Sequence, residues 1–145
     1  MNFSDFITDN GKRVKKEFFL HLIQVAQIDG NISQSEMELL HKQGRKFGLT
    51  DPEIDILIKS EFQHQYDPPY SLHHKFVQLY NIAEMILSDE KIADSEKRAI
   101  KRYAIAAGFK DKHIEGLIDL LLKGIMKKQT EDSLLSEFKN HIFKD

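Results

Sequence analysis

The chain carries one segment twice, and the second copy follows the first at a fixed offset of 60 residues. The segment from Asp29 to Glu36 is answered by the segment from Asp89 to Glu96. The same offset places glycine opposite glycine again at Gly48 and Gly108. A period this long that holds without a gap predicts a duplicated supersecondary unit.

The residues around each copy indicate that the repeated unit is helical. Val14, Phe18, Leu22 and Val25 recur three or four residues apart, which is the spacing of one helix face. The period-two alternation of strands is absent from the sequence. We therefore predict an all-α protein, a single compact bundle of about seven helices built from two repeats related by a pseudo-twofold axis.

Local signals place the boundaries of these helices. Ser33 and Glu36 have the spacing of a capping box, and Gly48 is expected to end the helix that they open. Asp51 is expected to cap the third helix, with Pro52 at its first position. We predict one domain over residues 1–145, with repeat one at about 14–63, a Pro-Pro connector at about 64–71, repeat two at about 72–123 and a C-terminal helix at about 131–143.

Both ends of the chain carry apolar residues that need a partner surface. Phe3 and Phe6 are expected to lie on one turn that covers a gap in the core. The last helix has a stripe that includes Leu134 and Phe138, followed by Phe143. We favour closure of the core by this stripe, and docking to a partner is the alternative.

Composition excludes several classes of function. The chain has no cysteine, so disulfides, thiolate metal sites and cysteine nucleophiles are excluded. The net charge of -2 gives no general attraction to nucleic acid, and the basic runs around Lys15, Lys101 and Lys127 lie on polar helix faces that are usually solvated. No signal peptide and no apolar run of roughly 20 residues is present, so we expect a cytoplasmic protein without membrane insertion.

The two acidic turns are the candidate metal site. The Asp-Gly-x-Ile-x-x-x-Glu pattern from Asp29 matches the second half of a calcium loop, but Val25 and Gln27 stand where the first carboxylate ligands belong. The favoured interpretation is that these carboxylates terminate and cap helices. The alternative is a weak Ca²⁺ or Mg²⁺ site that pools oxygens from both turns, with the ligands Asp29, Glu36, Asp89, Glu90, Asp94 and Glu96.

Other patterns give little support to an enzyme. No HExxH pair, nucleophile elbow or phosphate-binding glycine loop occurs. His64, His73 and His74 crowd the connector, where zinc is conceivable, but surface and capping roles are the favoured interpretation. We therefore predict a protein that is not an enzyme, with hydrolase activity as the least favoured alternative.

The motif Ala26-x-x-Asp29-Gly30-x-Ile32-x-x-x-Glu36, followed by Leu40 and Phe47-Gly48-Leu49, resembles the TerB-like family of tellurite-resistance proteins. The chain departs from the family pattern at Ile28, where alanine is usual, and at Glu90, which replaces the glycine of the second copy. The resemblance implies an all-α domain of bacterial stress-associated and membrane-linked systems, with an acidic surface to which divalent-cation binding is ascribed. We expect a non-enzymatic interaction module with a protein partner. The alternative is a scaffold that binds its partner through a helical groove or the C-terminal helix without metal.

Overall fold

The computed structural model describes residues 3–8, 11, 13–28, 30–87 and 92–142. These residues form seven α-helices, so the all-α prediction is confirmed. None of the seven combines the length and the apolar character that a bilayer span requires. The helices are α1 (Lys16–Ala26), α2 (Gln34–Lys46), α3 (Asp51–Glu61), α4 (Leu72–Ile86), α5 (Asp94–Ala106), α6 (Asp111–Met126) and α7 (Glu131–Glu137).

Contacts along the chain group into two compact units, Met1–Asp67 and Pro68–Asp145, which meet within the predicted connector. In the first unit α1, α2 and α3 pack against one another. In the second unit α4 packs against α5, α6 and α7. The single domain and the pseudo-twofold axis stay predictions.

The N-terminal segment is a short β-pair, where a turn covering the core was expected. β1 (Phe6–Ile7) lies antiparallel to β2 (Arg13–Val14), with Phe6 opposite Val14. Two-residue strands are too short to show an alternating pattern in the sequence. The covering role is nonetheless present, because the rings of Phe3 and Phe6 lie 6.1 and 5.8 Å from the ring of Phe47.

Capping boxes open α2 and α3. The predicted box of Ser33 and Glu36 is confirmed. For α3 the cap is Thr50, whose hydroxyl accepts from the Glu53 amide at 3.3 Å while Glu53 Oε1 accepts from the Thr50 amide at 2.9 Å. The prediction that Asp51 caps this helix is wrong, because a reciprocal pair satisfies two orphan amides where one aspartate satisfies a single amide. Asp51 is the first helical residue instead, and its side chain is left to bond elsewhere.

The offset of 60 residues recurs in the helix boundaries. α5 begins and ends 60 residues after α2, and α6 begins 60 residues after α3. Gly48 and Gly108 both have a positive φ, of 85° and 94°, which other residues adopt at a cost. The amides that follow them return to the carbonyls of Gly44 and Ala104, so α2 and α5 end in the same way.

Each unit has a core of large apolar side chains. In the first unit Phe19 stacks on Phe47 at 5.6 Å, and Ile54 packs so close to Gly44 that little space is left there. In the second unit Phe76 stacks on Phe138 at 5.9 Å. Phe138 opens a π-helical segment (Phe138–Ile142) that continues α7. Leu134, Leu135 and Phe138 are buried, so the prediction that the last helix closes the core is confirmed.

Candidate functional site

The predicted cation ligands are only partly within the described structure. Asp29, Asp89 and Glu90 lie outside the described residues. Glu36 belongs to the capping box, where its Oε1 accepts from the Ser33 hydroxyl at 3.0 Å. This carboxylate therefore stabilises the start of α2, whatever else it binds.

The two remaining predicted ligands differ in environment. Asp94 is exposed at the first position of α5. Glu96 is 1% exposed, and its Oε1 accepts from the Ala93 amide at 2.8 Å. Within the described part of the chain no group of three or more acidic or histidine side chains is arranged to hold a metal ion. The shared cation site stays a prediction.

The histidines near the connector have protein partners. His74 Nδ1 lies 2.7 Å from the Ser71 hydroxyl, which also accepts from the His74 amide at 3.1 Å. This pair caps α4, in agreement with the capping interpretation. His64 Nδ1 lies 2.9 Å from Glu61 Oε2.

An ion cluster that the sequence did not indicate joins α2 to α3. His41 on α2 lies between two aspartates of α3, with Nδ1 2.8 Å from Asp51 and Nε2 2.8 Å from Asp55. Arg45 donates to Asp51 at 3.0 Å. Burial lowers the pKa of His41, but the hydrogen bonds to the two aspartates together outweigh burial and raise that pKa above its ordinary value. We call these four residues the His41 clamp.

The second copy contains a counterpart of this clamp. Lys101 lies 60 residues after His41 and Glu115 lies 60 residues after Asp55, and their side chains form an ion pair at 2.7 Å. The hydrogen bond from Lys101 lowers the pKa of Glu115. Opposite charges at these four positions were the available signal in the sequence. The position of the clamp between helices accounts for its conservation of charge across the repeat.

The concave site with the greatest variety of polar groups lies in the first unit, where α1 and α3 end. It encloses about 360 Å³. We call it the glutamine recess. Its described lining consists of three glutamines, one histidine and three apolar or aromatic side chains: Gln24, Gln27, Ile28, Phe62, His64, Gln65 and Tyr66.

A nearly buried carboxylate lies behind this lining. Glu61 is 7% exposed. Its Oε1 accepts from Gln24 Nε2 at 3.0 Å, and its Oε2 lies 2.9 Å from His64 Nδ1. A carboxylate taken from water requires such partners, so Gln24 and His64 hold Glu61 in place.

Two polar atoms near the recess are buried without a hydrogen-bond partner. Gln27 donates through Nε2 to the Ile58 carbonyl at 3.0 Å, but its Oε1 has no donor. His21 Nδ1 also lacks a partner, and its ring packs against Tyr66 at 5.7 Å. Burial lowers the pKa of His21, although the carboxylates of Glu17 and Glu61 act in the opposite direction. Unpaired buried polar atoms are uncommon enough to call for an explanation.

Apolar surface adjoins these polar groups. Phe62 is 61% exposed and Ile28 is 57% exposed, and both line the recess. Exposed apolar side chains around convergent polar groups are typical of a surface that receives another molecule. The sequence analysis assigned Phe62 to the apolar run of the third helix and did not single out the glutamines. Their only signal was a helix that ends earlier than its copy.

The basic runs proposed as solvated faces carry mixed charge. Arg13 pairs with Asp5 at 2.7 Å. Lys97, Arg98 and Lys101 share a recess of about 260 Å³ with the carboxylates of Asp94 and Glu115. Lys12 lies outside the described residues. These neighbours offset much of the positive charge that a phosphate backbone would require.

Comparisons of the chain with protein-family models, with curated proteins and with solved structures found no match.

Proposed function

We propose that this chain is a non-enzymatic helical interaction module that binds a segment of a protein partner in the glutamine recess. The observation that carries the proposal is the exposure of Phe62 and Ile28 beside a recess whose polar groups converge. An apolar side chain of a partner packed on Phe62 would remove this surface from water. Burial of that kind is the main favourable term in most protein associations.

The polar groups of the recess support binding over catalysis. Glu61 is held by Gln24 and His64, so the one acid–base pair in the recess is engaged in positioning side chains. Amide side chains bind polypeptide well because each presents one donor group and one acceptor, as a peptide bond does.

The TerB-like assignment remains part of the proposal and rests on the motif from Ala26 to Leu49. A role in the response to tellurite or another stress is what that resemblance implies. In this proposal the recess, and not the acidic turns, makes the contact with the partner.

Selection from a displayed library of random peptides, with the whole chain immobilised, tests the binding proposal. Peptides recovered from the library should bind the wild-type chain, and Phe62→Ala should weaken them about tenfold or more, as removal of an aromatic anchor does. Ile56→Ala is the matched control, because Ile56 is 60% exposed on the same helix and does not line the recess. The proposal fails if no peptide is recovered, or if Ile56→Ala weakens binding as much as Phe62→Ala.

A further inference from the structure

The orientation of the Gln27 amide is fixed by its surroundings. Nε2 donates to the Ile58 carbonyl at 3.0 Å, so a flipped amide would place its oxygen against another oxygen. Oε1 is therefore the atom without a partner. A carbonyl oxygen can only accept, so the group that completes this site must bring an N–H or O–H donor.

The charge of the site is negative where it is least exposed to water. Glu61 lies behind Gln24 and His64, and its described partners include no lysine or arginine. No lysine or arginine occurs among the described residues that line the recess. The potential of a carboxylate at low exposure extends into the adjoining recess and favours a cation there.

The walls of the recess suit a planar cation. Phe62 and Tyr66 are aromatic, and a guanidinium group stacks on aromatic faces more readily than an ammonium group does. A guanidinium also carries five donors in one plane, so it can donate to Gln27 Oε1 while its other N–H groups remain available to Gln65 and to water.

We propose that the glutamine recess receives the side chain of an arginine from the partner polypeptide, which stacks on Phe62 and donates to Gln27 Oε1. This inference rests on the proposed function and identifies the residue that the recess selects. It also accounts for the unpaired oxygen of Gln27, which the partner would satisfy.

Titration with N-acetyl-arginine amide and with N-acetyl-citrulline amide tests the inference. The two probes have nearly the same shape, and only the first is charged. Amide correlation spectra of the ¹⁵N-labelled chain should show saturable shifts of the Gln24 and Gln27 side-chain amides. The dissociation constant for the arginine probe should be about tenfold lower, because charge-assisted hydrogen bonds are roughly twice as strong as neutral ones. Equal affinity for the two probes, or shifts confined to other surfaces, overturns the inference.

Two variants locate the source of the preference. Glu61→Gln should reduce the arginine preference to about twofold, because it removes the buried negative charge. Glu38→Gln removes the same charge from an exposed residue outside the recess and should leave the preference intact. A full preference in a folded Glu61→Gln chain contradicts the argument. If circular dichroism shows that this variant does not fold, Gln27→Met provides the decisive measurement, since it removes the acceptor and should abolish the tighter binding of arginine.

The outcomes separate this inference from the proposed function. Selected peptides that depend on Phe62 but lack a preference for arginine would leave the interaction module standing and refute the arginine. A chain that selects no peptide but binds the arginine probe at Gln27 would support the arginine site and refute the peptide-binding module.

Discussion

Gly44 and Gly116 give a pair of matched substitutions with opposite expected effects. Both glycines lie within helices, Gly44 in α2 and Gly116 in α6. Replacement by alanine removes backbone freedom from the unfolded chain and favours each helix by about 1 kcal/mol. The two sites differ in the space that a new methyl group would meet.

At Gly44 that space is already occupied. A Cβ there would lie 2.7 Å from Ile54 Cγ1 and Cδ1 and 3.0 Å from Phe19 Cζ. Ile54 would have to withdraw by about 0.7 Å to restore a contact of 3.4 Å, and both neighbouring side chains are fully buried. Overpacking of this kind costs typically about 1–3 kcal/mol. Gly44→Ala should therefore destabilise the chain by about 1 kcal/mol after the helix gain is subtracted.

At Gly116 the added methyl group fits. Its nearest neighbours are three Ile142 side-chain atoms at 3.5 Å, which is ordinary van der Waals contact. Gly116→Ala should stabilise the chain by about 1 kcal/mol. The two variants should thus differ by about 2 kcal/mol in the free energy of unfolding, a difference from which the helix propensity cancels.

Urea unfolding followed by far-UV circular dichroism measures this difference, provided that the dependence on denaturant is unchanged. Hydrogen exchange of the α2 and α6 amides shows in which unit the change occurs. The second copy has alanine at the position of Gly44, namely Ala104, so reasoning from the repeat alone would expect Gly44→Ala to be harmless. If Gly44→Ala is as stabilising as Gly116→Ala, the close approach of Ile54 does not restrict this site.

Two further predictions concern charge. The raised pKa of His41 means that the clamp contributes its full stability below pH about 6.5 and loses it as the pH rises through the folded-state pKa; urea unfolding of wild type and His41→Gln over a pH series should show their stability difference shrinking toward alkaline pH, and a constant difference would contradict the assignment. If the acidic turns bind a cation, millimolar Ca²⁺ or Mg²⁺ should raise the melting temperature of wild type by mass action, and a double variant with Asp29→Asn and Asp89→Asn should lose that rise. A rise that survives the double variant, or none in wild type, refutes the cation site.

Features set by neighbouring residues could be predicted from the sequence. The capping box of Ser33, the end of α2 at Gly48 and the connector around Pro68 depend on interactions within a few residues, which the sequence displays directly. The cap of α3 was misassigned although its T-x-x-E signature is equally local. Asp51 and Pro52 together resemble a helix start, and the reciprocal bonds of Thr50 and Glu53 prevailed.

The side chains of the glutamine recess and the His41 clamp meet through tertiary packing. His41 and Asp55 are 14 residues apart, and Gln24 and Glu61 are 37 residues apart. Which polar side chains meet across a helix interface depends on helix rotation and separation, and apolar periodicity leaves both of these undetermined. The clamp could have been suspected from its repeated charges, whereas the recess has no matching residues in the second copy.

That lack of a match has a structural origin. α6 continues to Met126, whereas α3 ends at Glu61, although the two helices begin 60 residues apart. Position 121, which corresponds to Glu61, is Leu121, and this leucine is fully buried within the longer helix. The early end of α3 leaves the residues from Phe62 to Tyr66 in a loop, and these residues form one wall of the recess. The repeat therefore accounts for the shared helices, and the recess has formed where the first copy departs from the second.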